Sequence, residues 1–200
     1  VLMSGEFIIT LGDVAQIPGL FSGEYLKGHR EPRIAMVGRS NVGKSSLING
    51  LLGARLAYTS NDPGKTKAIH FFLWKESRKI IADLPGYGYA RASADDRNRW
   101  AEMINTYLRS DGKLERALVL LDSRHGPTEL DVEAIRFLSF EGVPVTFVFT
   151  KTDTLKTQSE RASRRKEATA ALKALGYDAQ DAFWVSTKTK DGLKQLAQNL

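Results

Sequence analysis

Arg33-Ile-Ala-Met-Val-Gly38-Arg-Ser-Asn-Val-Gly43-Lys44-Ser45-Ser-Leu-Ile-Asn49 is the stretch that decides how this chain is read. Ile34 to Val37 is a short apolar run suited to a buried strand, and Gly38 to Ser45 matches G-x-x-x-x-G-K-[ST] without a mismatch. A helix is expected to open near Lys44. The loop made by Gly38, Arg39, Ser40, Asn41, Val42 and Gly43 can then turn backbone N–H groups inward around a polyphosphate, and the helix N-terminus adds partial positive charge. Lys44 would reach the β- and γ-phosphates. Ser45 would offer its hydroxyl oxygen to a Mg²⁺ bridging them, because Mg²⁺ takes hard oxygen ligands and keeps several waters.

A chain of 200 residues, 42% hydrophobic and 26% charged, can bury a full core and needs no second domain. The expected layout is an N-terminal arm and short turn over 1–32, packed on the same domain, and a nucleotide-binding domain over 33–200. The absence of cysteine removes disulfides and thiolate metal sites and suits a reducing compartment. No apolar run approaches a membrane span. The opening Val1 to Glu6 has no basic segment followed by an apolar core, so no leader is expected, a start at Val1 suggests a trimmed chain, and the location read is cytoplasmic. The formal charge of +6 favours an anionic partner, RNA above all, with no DNA partner expected.

In chain order, Asp13-Val-Ala-Gln16 reads as a capping box opening one short turn that Pro18-Gly19 ends. After the helix from Ser45 to Leu52, which Gly53 can stop, Tyr58 to Thr66 is a polar connection too irregular for helix or central strand. Ala68 to Trp74 and Lys79 to Asp83 read as strands joined by a hairpin at Lys75-Glu-Ser-Arg78. Trp100, Met103, Ile104, Tyr107 and Leu108 recur at helical spacing as one buried face. Two apolar runs, Ala117 to Asp122 and Val145 to Thr150, suit a parallel sheet covered on both faces. The helix between them would bury Leu130, Ala134, Phe137 and Leu138, with Gly142 and Pro144 beyond its end. A helix capped by Thr157 would bury Ala168, Ala171, Leu172 and Leu175 and end at Gly176, before a last strand at Ala182 to Val185 and a last helix from Leu193. Strands alternating with helices predict a three-layer α/β/α fold with ligand at the strands' carboxyl ends. The sheet is expected to be mostly parallel, with one antiparallel edge strand.

Further short motifs fall at strand ends in the order a GTPase needs. In Asp83-Leu84-Pro85-Gly86 the aspartate can hold Mg²⁺ through a water, and the glycine N–H can sense a γ-phosphate. Ahead of it, Gly64-Lys65-Thr66-Lys67-Ala68 would cover the phosphates, with the Thr66 hydroxyl as second Mg²⁺ ligand. In Thr150-Lys151-Thr152-Asp153 the carboxylate offers two acceptors to the two donors on one edge of guanine. Adenine would leave that charge unpaired. Lys151 can lay its alkyl stem over the purine. Val185-Ser186-Thr187 can offer backbone N–H to the guanine carbonyl.

Several runs are similar to one known family, the EngB (YihA/YsxC) branch of the Era/septin-like translation-factor GTPases. They are Gly38 to Asn49, Pro63-Gly-Lys-Thr66, Asp83-Leu-Pro-Gly-Tyr-Gly-Tyr-Ala90 and Leu121-Asp-Ser-Arg-His-Gly-Pro-Thr128. The resemblance covers nearly the whole chain from Phe7 onward, and the Tyr-Gly-Tyr segment is its most specific part. It implies a Ras-like P-loop GTPase fold and a bacterial protein that binds GTP and GDP, hydrolyses GTP and acts on the large ribosomal subunit precursor or its RNA; the chain is read beside this as a monomer, with slow turnover expected from Tyr87. It also implies a historical link to the cell cycle, cell division and septation. Lys67 and His70 depart from the Gln and Asn of many members, which bears on partner contacts. Catalysis would rest on Lys44, Thr66 and Gly86. Tyr87 stands where Ras-like proteins place a water-orienting glutamine, so an external activator is expected to complete the site. Related GTPases use an asparagine at the place of Asn41 to hold K⁺ near the phosphates; alternatively Asn41 closes a loop hydrogen bond. Arg161, Arg164, Arg165 and Lys166 on one helix are candidate RNA phosphate contacts, or simply a solvated face. The competing functional reading is a protein-binding module of the septation apparatus that nucleotide merely stabilises.

Thr66 can matter only when a γ-phosphate is present. Thr66→Ala is expected to weaken Mg²⁺-dependent binding of a GTP analogue while sparing GDP, as read by fluorescent-nucleotide titration. Equal losses for both would remove this loop from γ-phosphate sensing.

Overall fold

The computed structural model describes residues 4–21, 25–26, 28–57, 68–88, 94–178 and 182–200. Its centre is β2 (Arg33–Gly38), in which every residue is buried, as an apolar run between two parallel neighbours requires. Around it the sheet runs β1-β3-β4-β2-β5-β6-β7. The other strands are β1 (Gly5–Leu11), β3 (Ile69–Trp74), β4 (Lys79–Asp83), β5 (Leu114–Asp122), β6 (Val145–Thr150) and β7 (Phe183–Trp184). Antiparallel pairing is confined to one edge, where β3 pairs with β4 and β1 covers the outer side of β3 with a register shift between Phe7 and Ile9. From β2 the chain first forms the β3–β4 hairpin on one side, with β4 returning next to β2, and then crosses to β5 on the other. The carboxyl end of β2 is therefore the switch point where an open α/β sheet receives its ligand.

Alternation along the strands feeds two cores. Ala35, Val37, Val119 and Leu121 face a layer containing Ile17 and Leu20 of α1 (Ile17–Phe21), Met103, Tyr107 and Leu108 of α3 (Ala94–Ser110), Ile135 and Leu138 of α4 (Glu129–Phe140), and Ala168 and Leu172 of α5 (Gln158–Ala174). Ile34, Met36, Leu118 and Leu120 face Leu47, Ile48 and Leu51 of α2 (Lys44–Leu52) and Leu193 and Leu196 of α6 (Leu193–Gln198). The three-layer, mostly parallel architecture expected from the sequence is the one observed. Gly53, Gly142 and Gly176 lie just past helix ends at positive φ.

Two local expectations fail. Asp13 and Gln16 do form the capping box, yet Pro18-Gly19 does not end the turn, because α1 runs through both residues. Pro18 sits in the first turn of a helix, where a backbone N–H has no intrahelical partner to lose. In α4 the buried positions are Asp131, Ile135 and Leu138, whereas Leu130 is 42% exposed. An aspartate takes the inward place because Thr128 and Asp131 close a capping box, a Thr-x-x-Asp signal present in the sequence but not used. The Trp100 side chain expected on the buried face of α3 lies outside the described residues.

Gly192 opens α6 at φ +72, and a Cβ there would come within 2.2 Å of the Trp184 carbonyl oxygen. Gly192→Ala is therefore expected to lower stability by about 2–3 kcal/mol, measured by urea denaturation, with the slope of the transition unchanged.

Candidate functional site

Gly38 ends β2 where a side chain would collide: a Cβ would lie 2.8 Å from Val42 Cγ1 and 3.2 Å from the Leu120 carbonyl oxygen. The chain then turns through Asn41 (φ 63) and Gly43 (φ 106), the latter being a conformation that glycine adopts without strain. Val42 N–H donates to the Arg39 carbonyl at 3.2 Å, closing the loop. Gly43 caps α2 with no side-chain hydrogen bond, which leaves first-turn amides of the helix for an anion. Two amides of the expected cradle, those of Val42 and Ser40, are already used. Ser40 N–H donates to the Tyr87 carbonyl at 2.9 Å, so Ser40 cannot also give that proton to a phosphate. The Val42 side chain is buried and its N–H is the one given to Arg39, so Val42 does not donate to a phosphate either.

Lys44 and Asp83 form an ion pair across the site, with Asp83 4% exposed at the end of β4. The cation assigned to phosphates and the carboxylate assigned to a Mg²⁺-bound water thus bond to each other, a pairing the sequence reading did not anticipate. Ser45 lies beside Lys44 in the first helical turn. Among the described residues no cluster of three His, Cys, Asp or Glu side chains could hold a metal by itself. The Ser45 hydroxyl as a ligand, and Asp83 through a bound water, would suit a Mg²⁺ held together with a polyphosphate. Leu84 and Pro85, expected to contact nucleotide, have buried side chains, which leaves only their backbone for that role. Gly86 packs on the phosphate loop, where a Cβ would be 3.0 Å from Ser40 N.

The base side of the site is held from three strands. Lys151, at φ 59 after β6, extends its ammonium to the Asn41 carbonyl at 2.6 Å and to Asp122 Oδ2 at 3.0 Å. Arg124 clasps the same carboxylate through Nε (2.8 Å) and a terminal nitrogen (2.6 Å). Burial alone would raise the Asp122 carboxyl, but the hydrogen bonds from Arg124 and Lys151 outweigh it and hold the group well below the usual carboxylate range. Sequence reasoning assigns no role to Asp122 or Arg124; the signal available was a charged residue ending an apolar strand. Thr150, expected to touch nucleotide, is 3% exposed and instead donates its hydroxyl to the Val42 carbonyl at 2.6 Å, tying β6 to the phosphate loop. Thr152 N–H donates to the Val185 carbonyl at 3.3 Å.

Asp153 is oriented by a group that sequence reasoning missed, the Ser186 hydroxyl, which donates to Oδ1 at 2.7 Å. The expected amides are also fewer than three. Val185 N–H donates to Phe149 and Ser186 N–H to Asp191, so Thr187 supplies the amide left for a guanine carbonyl. Ala68 lies among the described residues, ahead of β3, while the expectations for Gly64, Lys65, Thr66 and Lys67 fall outside them. On α5, Arg161 bonds the Leu155 carbonyl at 3.0 Å, Arg164 bonds Glu167 at 2.7 Å and Arg165 lies 5.1 Å over the Trp184 ring.

Residues 33–151 match the family described as "50S ribosome-binding GTPase". Two curated relatives bear the name "Probable GTP-binding protein EngB". That of Desulfovibrio desulfuricans is 44% identical over 145 residues, 72% of each chain. That of Streptococcus sanguinis is 44% identical over 164 residues, 81% of this chain and 82% of the relative. A crystal structure of a probable GTP-binding protein engB aligns with TM-score 0.63 at 26% identity, covering 83% of this chain and 95% of that one. Era in complex with MgGDPNP and nucleotides 1506–1542 of 16S ribosomal RNA shares the fold, with TM-score 0.66 at 21% identity over 84% of this chain and 55% of that one. No helix among the described residues is long and apolar enough to cross a membrane.

Asp153→Asn is expected to cost about 2–4 kcal/mol of GTP binding and to relax discrimination toward a xanthine nucleotide. Ser186→Ala, which removes the orienting hydroxyl, should weaken GDP and GTP alike by about five- to tenfold. Calorimetric titration reads both, and parental affinity in either variant would misplace the guanine contact.

Proposed function

The chain belongs to the EngB family of GTP-binding proteins, and from that premise we propose that it is a slow, Mg²⁺-requiring GTPase switch in maturation of the large ribosomal subunit. The observation that carries the nucleotide half of this reading is the Lys151 ammonium. It spans from the guanine-reading segment to the Asn41 carbonyl of the phosphate loop, so the two halves of one ligand site are fastened together. Asp153 pairs with the guanine edge, and Thr187 N–H meets the base carbonyl. Lys44 and the first-turn amides of α2 stabilise charge as it develops on the phosphates, with the Gly86 N–H directed at the γ-phosphate. Mg²⁺ bound beside Ser45, Asp83 and the Thr66 hydroxyl would neutralise the β- and γ-oxygens.

Slow turnover is supported by the residue after Gly86. Tyr87 is 8% exposed and its phenol bonds Asp131 at 2.8 Å, so the position that could orient an attacking water is committed elsewhere. The Asn41 side chain would hold a K⁺ that adds positive charge beside the phosphates, or the ribosomal partner would bring the missing group. The formal charge of +6 suits an RNA-rich partner. Of the four α5 candidates, Arg161, Arg164 and Arg165 bond or stack within the protein, so Lys166 is the candidate left for an RNA phosphate, and the contact draws further on exposed lysines such as Lys156, Lys188 and Lys194.

The purified protein is expected to turn over GTP at about 10⁻⁴ to 10⁻³ s⁻¹ in Na⁺, faster in K⁺ at equal ionic strength or with large-subunit precursors. It should also co-sediment with those precursors in a strongly salt-dependent manner. Fast hydrolysis in Na⁺ alone would overturn the catalytic reading, and salt-insensitive or absent co-sedimentation would overturn the ribosomal one.

A further inference from the structure

Asp131 is 1% exposed in the first turn of α4, and its two carboxylate oxygens have different tasks. Oδ2 accepts from Thr128 N (2.8 Å) and Thr128 Oγ1 (2.7 Å), which completes the helix cap. Oδ1 is not needed for capping, and it accepts the phenolic proton of Tyr87 at 2.8 Å. A capping box requires only one oxygen, so the second bond calls for another explanation. The cation nearest this buried carboxylate is Arg39 of the phosphate loop, whose Nε lies 3.6 Å from Oδ2. Three segments therefore converge on a single negative charge: the phosphate loop, the residue after Asp83-Leu84-Pro85-Gly86, and the N-terminus of α4.

Tyr87 is also pinned through its backbone. Its N–H donates to the Gly38 carbonyl at 3.3 Å and its carbonyl accepts from Ser40 N–H at 2.9 Å. Gly86, one residue back, rests against the Ser40 backbone, where a Cβ would be crowded at 3.0 Å from Ser40 N. One residue on, Gly88 turns at φ +78 over Leu130 of α4, where a Cβ would meet Leu130 Cδ1 at 3.2 Å. The ring of Tyr87 packs in the core that contains Ile135 and Leu138. Burial first, and then the charge of Asp131, push the phenol far above its ordinary range, so it remains protonated and remains a donor.

We infer that Asp131 is a positioning residue for γ-phosphate recognition, acting through Tyr87 to hold the Gly86 amide in a fixed place against the phosphate loop. This rests on the proposed reading of Gly86 as the γ-phosphate contact. A fixed amide needs no reordering when the third phosphate arrives, so the latch favours GTP and is indifferent to GDP, which has no group there to meet. It also gives α4 a mechanical link to the nucleotide, through a carboxylate rather than through packing alone.

Tyr87→Phe keeps the ring and deletes the donor. Its expected effect is a loss of about tenfold in affinity for a non-hydrolysable GTP analogue, as for a hydrogen bond to a charged acceptor, with GDP affinity unchanged. Asp131→Asn should shift the same ratio, and the double variant should lose no more than the larger single loss, because both substitutions remove one bond. Thr128→Ala, which touches only the capping oxygen, should lower the thermal midpoint and leave the GTP-to-GDP ratio alone. Equal weakening of both nucleotides, an unchanged ratio in Tyr87→Phe and Asp131→Asn, or additive losses would overturn the latch. If the parent protein fails to prefer guanine over adenine nucleotides, it is the site itself that has been misread, whatever the variants do.

Discussion

The Lys151 ammonium lies between the Asn41 carbonyl and the Asp122 carboxylate, and the arrangement of the whole site depends on that placement. Asp122 is 3% exposed, and a buried carboxylate requires cations and donors close by. It has Arg124 on one side and Lys151 on the other. For Lys151 to arrive there, the backbone leaving β6 adopts φ 59, a left-handed conformation that costs a non-glycine residue about 1–2 kcal/mol. That strain is offset by two charge-assisted hydrogen bonds, and the return is geometric. Strand β6, strand β5 and the phosphate loop are locked in mutual register at their carboxyl ends, with Asp153 only two residues further on.

Chemistry that depends on a residue type at fixed spacing could be read without coordinates. The phosphate loop needs glycine at Gly38 because no Cβ fits beside Val42 and Leu120, and the sequence states that constraint as a letter. Asp83 closes β4 and Asp153 follows β6 at the intervals that bring them to one end of the sheet. The contacts that remained hidden join segments distant in the chain. Ser186 to Asp153 spans 33 positions and Tyr87 to Asp131 spans 44, and nothing local distinguishes either hydroxyl from any other. Backbone commitments were hidden for the same reason: that Ser40 N–H serves Tyr87 rather than a phosphate emerges only once Arg39 and Tyr87 bridge in parallel. Pro18 misled because proline ends a helix from its interior but is tolerated at its beginning, and the two cases share a dipeptide.

Helix α4 shows where amphipathic pattern and position part company. By periodicity Leu130 belongs inside, and it is partly exposed because the neighbouring inward place is held by a charged residue with work on three segments. A carboxylate there needs the helix N-terminus, the Thr128 donors and Arg39 together. The α5 surface has a similar lesson in reverse. A run of cations looks like a contact face, yet Arg164 and Arg165 are occupied by Glu167 and by the Trp184 ring.

Among the described residues, neither margin of the sheet offers a long, flat ladder of unpaired backbone groups. On one side β7 ends the sheet after Phe183 and Trp184, and on the other β1 breaks its register between Phe7 and Ile9. Short and bulged borders are what discourage one chain from extending the sheet of another. A molecule with a mostly parallel interior, and hence with slow long-range pairing to complete, is thereby shielded from templated self-association. What it turns outward instead are helix surfaces and the loops at the strands' carboxyl ends, the latter being the parts proposed to meet nucleotide.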